Sequence, residues 1–373
     1  MTAPQIKGWC PGALRPMESG DGLVVRVRVP GGRLTAHQAQ SLAALAATHG
    51  NGLIDLSARA NLQLRGVHNH ALLLEGLAAL ALLDPNPAAE ARRNVLTAPF
   101  WSPGDDTPAL AAALEQALAA SDLALPGKFG FAIDTGPAPI LAASSADIRL
   151  ERGPLGLHLR PDGAHHARPV TPAEAIPAAL ALAHWFLASG GAQNNRGRMA
   201  ALIASGTPLP AGYIPAPNPT PETPTAGPTA QGWLVGLPLG RITAATLAEI
   251  ATAPIRLTPW RMLLIENQAP PPLPDLILHP DDPRLRVTAC PGAPACPQAH
   301  APVRDLALRL APRVPKGQTL HLSACAKGCA HPAPADLCLT ATPHGFLAAR
   351  HAKAADAATP IAPDHIANWI AET

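Results

Sequence analysis

Four cysteines in the last quarter of the chain have the spacing of a metal centre. Cys290 and Cys296 are separated by five residues, and Cys325 and Cys329, separated by three, follow after 28 more. Soft thiolate ligands in two close pairs are what a 4Fe-4S cluster or a structural zinc ion requires. Zinc ribbons mostly use C-x2–4-C pairs, because a tight turn presents both sulfurs to one ion, so the spacing here favours a cluster. A zinc site and unligated cysteines are the alternatives.

Of the two remaining cysteines, Cys338 is expected to be structural, and the role of Cys10, in the word WCPG, is left open. Cys338 lies in the apolar segment LCLTA, which is typical of a buried strand. Residues 1–16 contain no apolar run ahead of a small-residue cleavage site, so no export signal is predicted and the expected location is cytoplasmic. In a reducing cytoplasm, cysteines serve metal binding or catalysis rather than disulfides.

A second group of candidate residues is cationic and lies in the first half of the chain. The segment LSARANLQLRG places Arg59, Asn61, Gln63 and Arg65 at alternate positions, so in one strand all four would share a face. Guanidinium groups bind carboxylates with two parallel hydrogen bonds, so such a face suits a ligand rich in carboxylates. The alternative is a solvated sheet face with surface charges. Two further cations, in the words RNV and LPGKF, are placed to reach the same cavity: Arg93 and Lys128.

A unit of one strand, one helix and two strands must position the cationic segment. The alternating run LVVRVRV predicts a strand over 23–29, and the capping box Thr35-x-x-Gln38 predicts the start of a helix. Two strands are expected over 53–57 and 61–67, which puts Arg59 in a connection or at a strand end.

The same order of elements recurs after a Pro- and Thr-rich segment at 206–227, which is typical of an extended linker. The words GRLT and IDLS of the first unit return as GRIT and IRLT, so we interpret the two units as an internal duplication, with coincidence as the alternative. The second unit is predicted as a strand, a helix entered through Thr243 and two strands, over 233–239, 240–251, 255–258 and 261–265. Further helices are expected at 107–123, 171–188, 302–310 and 364–371. The predicted fold class is therefore α+β in two similar halves.

Composition argues against several classes of function. The 28 Lys+Arg and 26 Asp+Glu leave a formal net charge of +2, and aromatic residues make up 3% of the chain. Neither a nucleic-acid footprint nor a base-stacking surface is predicted from these values. No run reaches the roughly 18–20 apolar residues that a membrane span needs, so no membrane contact is expected.

In combination, these motifs resemble the sirohaem-dependent sulfite and nitrite reductases. The shared features are the cysteine pairs, the duplicated unit and the words S-x-R-x-N-x-Q-x-R, R-N-V and L-P-x-K-F. Within that superfamily, CPGALRPMESGDGLVVRVRVPGGRLT, GNGLIDLSARANLQLRG and SACAKGCAHP look like the precorrin-3B synthase branch of aerobic cobalamin biosynthesis. The resemblance covers nearly the whole chain, apart from the linker and parts of 155–194.

The resemblance implies a sulfite/nitrite reductase-like fold, in which duplicated ferredoxin-like half-domains with pseudo-two-fold symmetry pack with an α/β lobe that bears an iron–sulfur cluster. The expected divisions are a first half-domain at 1–85, an α/β lobe at 86–205, a linker at 206–230, a second half-domain at 231–285 and the cluster lobe at 286–373. It also implies cluster ligation by Cys290, Cys296, Cys325 and Cys329. The residues expected to hold the acidic arms of a tetrapyrrole are Arg59, Asn61, Gln63, Arg65, Arg93 and Lys128.

The activity implied is an oxygen-dependent conversion of precorrin-3A to precorrin-3B, by C20 hydroxylation with γ-lactone formation. The substrates would be precorrin-3A and O2, and an NAD(P)H-dependent electron donor would reduce the cluster, since no nucleotide-binding motif is present. A mononuclear non-haem iron is also expected from the family, with ligands that cannot be read from the sequence. The histidines considered for it are His68, His70, His165, His166 and His331.

Two other functions are kept as alternatives. A sirohaem-dependent sulfite or nitrite reductase would share the fold, but the reductases usually carry a second lysine two residues after Lys128, where this chain has Gly130. Losing that cation weakens a site that must bind small oxyanions. The second alternative is a non-catalytic iron–sulfur electron carrier or tetrapyrrole-binding protein.

Overall fold

The computed structural model describes residues 10–137, 139–220 and 222–372. The fold is α+β, as predicted, with strands gathered into four sheets. The helices are α1 (Ala36–His49), α2 (His70–Ala79), α3 (Pro87–Arg92), α4 (Asp106–Ala120), α5 (Pro172–Ala188), α6 (Met199–Ala204), α7 (Ala244–Ile250), α8 (Arg304–Leu310) and α9 (Ile366–Ala371).

The strands of the first half and its lobe are β1 (Met17–Ser19), β2 (Gly22–Val27), β3 (Arg33–Leu34), β4 (Leu53–Leu56), β5 (Leu62–Val67), β6 (Val95–Thr97), β7 (Phe131–Asp134), β8 (Ile148–Gly153), β9 (Gly156–Pro161), β10 (His166–Pro169) and β11 (Ile214–Pro215). The later strands are β12 (Gly227–Thr229), β13 (Gly232–Gly236), β14 (Arg241–Thr243), β15 (Ile255–Leu257), β16 (Met262–Glu266), β17 (Val287–Ala289), β18 (Leu320–Ser323), β19 (Ala335–Thr342), β20 (Gly345–Ala352) and β21 (Thr359–Ile361).

Two five-stranded sheets have the same layout and exchange one strand. The first has the order β1-β2-β5-β4-β14, and the second has the order β12-β13-β16-β15-β3. In each sheet the last strand comes from the other half of the chain, with Ile242 opposite Ile54 and Leu34 opposite Ile255. These four side chains are almost fully buried in one common core, so the two ferredoxin-like halves share their interior.

Positive φ angles recur at equivalent positions of the two halves. The turn between β4 and β5 holds Ala60 at φ 51°, and the equivalent turn between β15 and β16 holds Arg261 at φ 59°. Six residues further on, near the ends of β5 and β16, Gly66 at φ 61° corresponds to Asn267 at φ 58°. Because these left-handed conformations are uncommon for residues other than glycine, their recurrence supports duplication over coincidence.

Each half is followed by a lobe with its own sheet and core. The first lobe has a six-stranded sheet in the order β11-β10-β9-β8-β7-β6, packed against α4 and α5. The second has the order β17-β18-β19-β20-β21, packed against α8 and α9. Two short strands, β11 and β12, fall inside the segment expected as a linker, and the expected domain boundaries stay a prediction.

Most predicted elements are present, with one informative error. Thr35 caps α1 through the predicted box, because its hydroxyl accepts from Gln38 N and the Gln38 side chain accepts from Thr35 N. The helix expected over 240–251 is entered through Thr243, as predicted, but the residues ahead of it are not helical, since 241–243 form β14 and α7 begins at Ala244. Pairing with β4 supplies the backbone hydrogen bonds that a first helical turn would leave unmade. No helix in the described ranges has the length and hydropathy that a membrane-spanning segment needs.

Candidate functional site

The cysteine pairs lie at one edge of the second lobe's sheet. Strands β17 and β18 are parallel, with Ala289 opposite Leu322. Cys290 directly follows β17 and Cys325 lies two residues beyond β18, so both leave the carboxyl ends of neighbouring strands. The two loops are joined by a hydrogen bond from His300 N to Ala324 O at 2.8 Å.

Cys290 has the surroundings of a thiolate ligand. Its residue is 6% exposed, and its sulfur accepts from Ala324 N at 3.3 Å and from the Gly292 amide. Burial raises the pKa of the Cys290 thiol, and the two backbone N–H groups oppose this rise because they stabilise the thiolate. Backbone N–H groups directed at sulfur are also what tunes an iron–sulfur centre.

The other three cysteines are close enough to act on Cys290 electrostatically. Burial raises the pKa of the Cys329 thiol, Lys327 opposes this rise, and Cys325, Cys290 and Cys296 add to it. Cys296 and Cys325 are half-buried and Cys329 is exposed. All four thiols therefore border one region reached from the surface, as ligands for the four irons of a cluster would need to do.

A single metal ion such as zinc is the alternative to a cluster at these cysteines. Within residues 10–137, 139–220 and 222–372, no three His, Cys, Asp or Glu side chains are arranged to hold one ion. A zinc ion needs its sulfurs to converge on one point, whereas a four-iron cluster takes one thiolate at each iron. Four thiolates are a donor set that a four-iron cluster can take, while the mononuclear iron has no ligand set among the described residues.

The histidines considered for that iron are dispersed. His70 Nε2 lies 2.8 Å from Ala13 O, and His165 Nδ1 lies 3.2 Å from Asn218 Nδ2. His331 Nε2 lies 3.3 Å from Pro334 O. We assign no chemical step to a mononuclear iron.

The cationic segment is not a continuous strand. The positive φ of Ala60 reverses the chain, so Arg59 lies in the connection between β4 and β5, which is one of the two places predicted for it. Asn61 just precedes β5. Only Gln63 and Arg65 alternate along β5. The expectation that all four side chains share one strand face is therefore wrong.

Arg59 instead belongs to a group of three arginines that we call the cationic cluster: Arg26, Arg59 and Arg198. Burial lowers the pKa of the Arg59 guanidinium, and both neighbouring arginines lower it further, while Cys10 raises it. Arg59 Nη2 donates to Ser145 Oγ at 3.3 Å, and Arg26 Nη2 donates to Gln63 Oε1 at 2.9 Å. The Arg26 Nε and Asn61 Nδ2 atoms are buried without a partner in the described structure.

Arg198 connects the cationic cluster to a cavity. Its Nε donates to the fully buried carboxylate of Asp147 at 2.8 Å, and its Nη2 donates to Ser145 Oγ at 3.1 Å. A cavity of about 720 Å³ opens beside it, lined also by Gln193, Asn194 and Arg196. That volume is in the range of small-molecule sites.

Three other predicted residues have different surroundings. The Arg65 guanidinium lies 2.8 Å from Asp21 and 3.8 Å from Asp55. Arg93 is paired with Asp84 at 2.7 Å and with Glu115 at 3.5 Å, and its Nη2 donates to Arg28 O. Lys128 is exposed. The charges of Arg65 and Arg93 are thus matched by protein carboxylates, and their binding role stays a prediction.

Arg65 nevertheless connects the first half to the cysteine loops. Its Nη2 donates to Ala295 O at 3.4 Å, and Ser19 Oγ and Gly20 N donate to the same carbonyl. Ala295 directly precedes Cys296. The polar face of the first sheet therefore borders the loop that carries two of the four cysteines.

Sequence reasoning missed Arg26 and Arg198 as members of the site. A signal existed for Arg26, which alternates with apolar residues in LVVRVRV and pairs across the sheet with Gln63. Arg198 follows a surface loop, and no local pattern relates it to Arg59.

Comparisons with known proteins bear on the fold and on the sequence as a whole. Residues 15–80 match the nitrite/sulfite reductase ferredoxin-like half domain. A precorrin-3B synthase from a Sinorhizobium species is 28% identical over 395 residues, covering 92% of this chain and 83% of that protein. The structure of Mycobacterium tuberculosis NirA protein superposes with a TM-score of 0.66 at 20% identity, covering 94% of this chain and 79% of that chain. The predicted resemblance is confirmed: this chain has the sulfite/nitrite reductase-like fold and is similar in sequence to precorrin-3B synthase.

Proposed function

We propose that this protein is an oxidoreductase of cobalamin biosynthesis that converts precorrin-3A to precorrin-3B. The product gains a hydroxyl at C20 and a γ-lactone, with one atom of O2 incorporated and the other reduced to water. Because that balance consumes two further electrons, an NAD(P)H-dependent donor is part of the proposal. The similarity to a precorrin-3B synthase supports the pathway.

The observation that carries this proposal is the cationic cluster, of which Arg198 also lines the cavity. Precorrin-3A bears acetate and propionate arms, and Arg26 and Arg59 offer guanidinium groups that no acidic residue pairs with directly in the described structure. A carboxylate bound there would compensate charges that burial otherwise makes costly. The unpaired amide of Asn61 supplies a further donor.

The four cysteines are proposed to hold a 4Fe-4S cluster, which when bound supplies single electrons. Cys290 would be the most buried ligand, fixed by the amides of Ala324 and Gly292. Arg65 holds Ala295, and hence the loop of Cys296, against the first sheet. These contacts support an electron-donating site whose Cys296 loop lies against the first sheet.

The sirohaem reductase is less well supported, because the position of its second lysine is closed. A Cβ at Gly130 would lie 2.6 Å from Asn94 Nδ2, and Asn94 is fixed by its hydrogen bond to Phe129 O at 2.9 Å. A side chain cannot be added there without displacing Asn94. The absence of that cation is thus built into the packing.

The test is to purify the protein without oxygen, measure its iron and sulfide, and extract its pigments. The cluster-loaded protein is then given precorrin-3A, a chemical reductant and isotopically labelled O2. We expect no sirohaem and a product that carries one labelled oxygen. Extractable sirohaem with sulfite or nitrite reduction would favour a reductase. Stoichiometric precorrin binding without turnover would favour a carrier, and either result would overturn the proposal.

A further inference from the structure

Arg261 occupies a position that ordinarily suits a small residue. It lies in the turn between β15 and β16 with φ 59°, where its counterpart in the first half is Ala60. A left-handed backbone conformation costs free energy for a residue with a long side chain. Such a residue keeps this conformation only where contacts with its surroundings hold it there. The contacts of the Arg261 side chain indicate what requires it.

The guanidinium bridges the two segments that carry the cysteine pairs. Its Nη1 donates to Thr288 Oγ1 at 3.0 Å, and its Nη2 lies 3.4 Å from Ala330 O. Thr288 is two residues before Cys290, and Ala330 directly follows Cys329. A side chain from the second half-domain thus binds both cysteine-bearing segments of the lobe.

The charge of Arg261 is not matched by an acidic residue in the described parts of the chain. Burial lowers its pKa, and no acidic neighbour opposes that effect. Its titratable neighbours are Arg304, also cationic, and His321. His321 is fully buried with both ring nitrogens unpartnered, and burial, aided by His331 and Arg261, lowers its pKa to about 4, so it is neutral near pH 7. Arg261 is half-buried, and a positive charge with such neighbours lacks its counter-charge.

We infer that Arg261 is a positioning residue whose charge stabilises the reduced form of a cluster held by Cys290, Cys296, Cys325 and Cys329. The inference rests on the proposed function, because that function places a cluster there. A four-thiolate cluster carries net negative charge, which increases by one when it accepts an electron. A cation close to the cluster therefore favours the reduced state and raises the reduction potential.

The test compares three variants of the cluster-loaded protein. Arg261→Gln removes the charge and keeps hydrogen-bonding capacity, whereas Arg261→Lys keeps the charge. Arg309→Gln removes an exposed arginine of α8 in the same lobe and is the matched control. The reduction potential is measured by a mediated redox titration that follows the visible absorbance and the electron paramagnetic resonance of the reduced cluster.

We expect Arg261→Gln to lower the equilibrium constant for one-electron reduction at least tenfold, which is about 59 mV for a one-electron couple. Arg261→Lys should retain most of the wild-type potential, and Arg309→Gln all of it. A potential of Arg261→Gln equal to that of Arg309→Gln would overturn the inference. Cluster loss in both Arg261 variants would also overturn it, since the residue would then act as a mechanical link rather than through its charge.

The outcome is separable from that of the proposed function. The potential is read without precorrin-3A, so a wild-type protein that holds a cluster but fails to convert precorrin-3A would overturn only the proposed reaction. A wild-type protein that assembles no cluster would overturn both.

Discussion

Arg33 and Glu266 form a bidentate ion pair that joins the two halves of the chain. Arg33 Nε donates to Glu266 Oε1 at 2.7 Å, and Arg33 Nη2 donates to Oε2 at 2.9 Å. Arg256 Nε also donates to Oε1 at 2.6 Å. Burial alone would raise the pKa of Glu266, but the two arginines hold it below its usual value.

The first sheet contains the same arrangement with its own residues. Arg241, on the exchanged strand, donates to Asp55 at 2.6 Å, and Arg65 lies 3.8 Å from the same carboxylate. Each sheet therefore holds one carboxylate between an arginine of its own half and an arginine borrowed from the other. The acid lies on β4 in the first sheet and on β16 in the second.

Replacing Glu266 with Gln should destabilise the fold. The change leaves Arg33 and Arg256 facing each other without a counter-charge, and breaking a buried pair in this way costs about 3–5 kcal/mol. The free energy of unfolding, measured by chemical denaturation, should fall by that amount, whereas the exposed Asp364→Asn should change it little. Equal stability of the two variants would contradict this account.

Replacing Cys325 with Ser should abolish the cluster, because one iron would lose its thiolate. The measurement is iron and sulfide content after anaerobic reconstitution, together with the broad absorbance of the cluster. Cys338→Ala is the matched control, since Cys338 is fully buried in β19, as predicted, away from the cysteine loops. Full iron and sulfide in Cys325→Ser would mean that the ligand set is different.

Replacing Arg59 with Ala should weaken the binding of precorrin-3A more than a hundredfold. Loss of one partner of a buried charge pair costs roughly 3–5 kcal/mol, and each 1.4 kcal/mol is a tenfold change in affinity. Binding can be followed by anaerobic fluorescence or absorbance titration, with the half-exposed Arg152→Ala as control. An unchanged dissociation constant for Arg59→Ala would remove the cationic cluster from the substrate site.

Replacing Arg93 with Ala should lower the stability of the fold and leave the binding of precorrin-3A nearly unchanged. Its guanidinium is bound to Asp84, Glu115 and Arg28 O, so its removal leaves two buried carboxylates without their cation. We expect a clear loss in the free energy of unfolding, with less than a threefold change in the precorrin-3A dissociation constant of the folded protein. A large binding defect at unchanged stability would instead support the substrate role predicted from the sequence.

Replacing Asp134 with Asn should change how stability depends on pH. Burial raises the pKa of Asp134 to about 6 from 3.8, and its Oδ1 has no partner in the described structure. Between these values the native state binds the proton more tightly than the unfolded state, so the stability of the wild-type protein should fall as pH rises from about 4 to about 6. The asparagine side chain of the variant cannot ionise, so this loss should be absent from it.

The free energy of unfolding of Asp134→Asn should therefore exceed that of wild type at pH 7, by up to about 3 kcal/mol, and equal it near pH 4. The amide oxygen of the variant can still accept from Leu141 N, which donates to Asp134 Oδ2 at 2.6 Å in the wild-type protein. The measurement is chemical denaturation of both proteins between pH 4 and pH 7. Parallel pH profiles for the two proteins would show that Asp134 keeps an ordinary pKa.

Local sequence patterns predicted the helices and strands well, but they did not predict which strands pair with each other. The capping box of Thr35 and the alternation in β2 act within a few residues, so the sequence displays them directly. Strand β14 was hidden, because Arg241–Thr243 is too short to show a period and its partner lies in the other half. The connection around Arg59 was predicted, but the positive φ of Ala60 was not, since nothing in the alternating word indicates it.

In the candidate site, the cysteines could be predicted from local sequence and the cationic residues could not. Cysteine spacing predicts which residues lie together, because each pair sits in one loop and the loops leave adjacent strands. The cationic residues carry no such constraint. Whether an arginine is available to bind a ligand depends on whether a carboxylate from another part of the chain pairs with it. Asp21 pairs with Arg65 and Glu115 pairs with Arg93, and both acids come from other elements.

The exchanged strands β3 and β14 bear on how such a chain could arise. A two-fold homodimer whose subunits each lent one strand to the other would contain the same pairs of strands and the same shared core. Joining those subunits end to end would give a single chain in which each half is free to diverge. Ala60 and Arg261 would then be descendants of one ancestral residue, one now small and the other holding two cysteine-bearing segments.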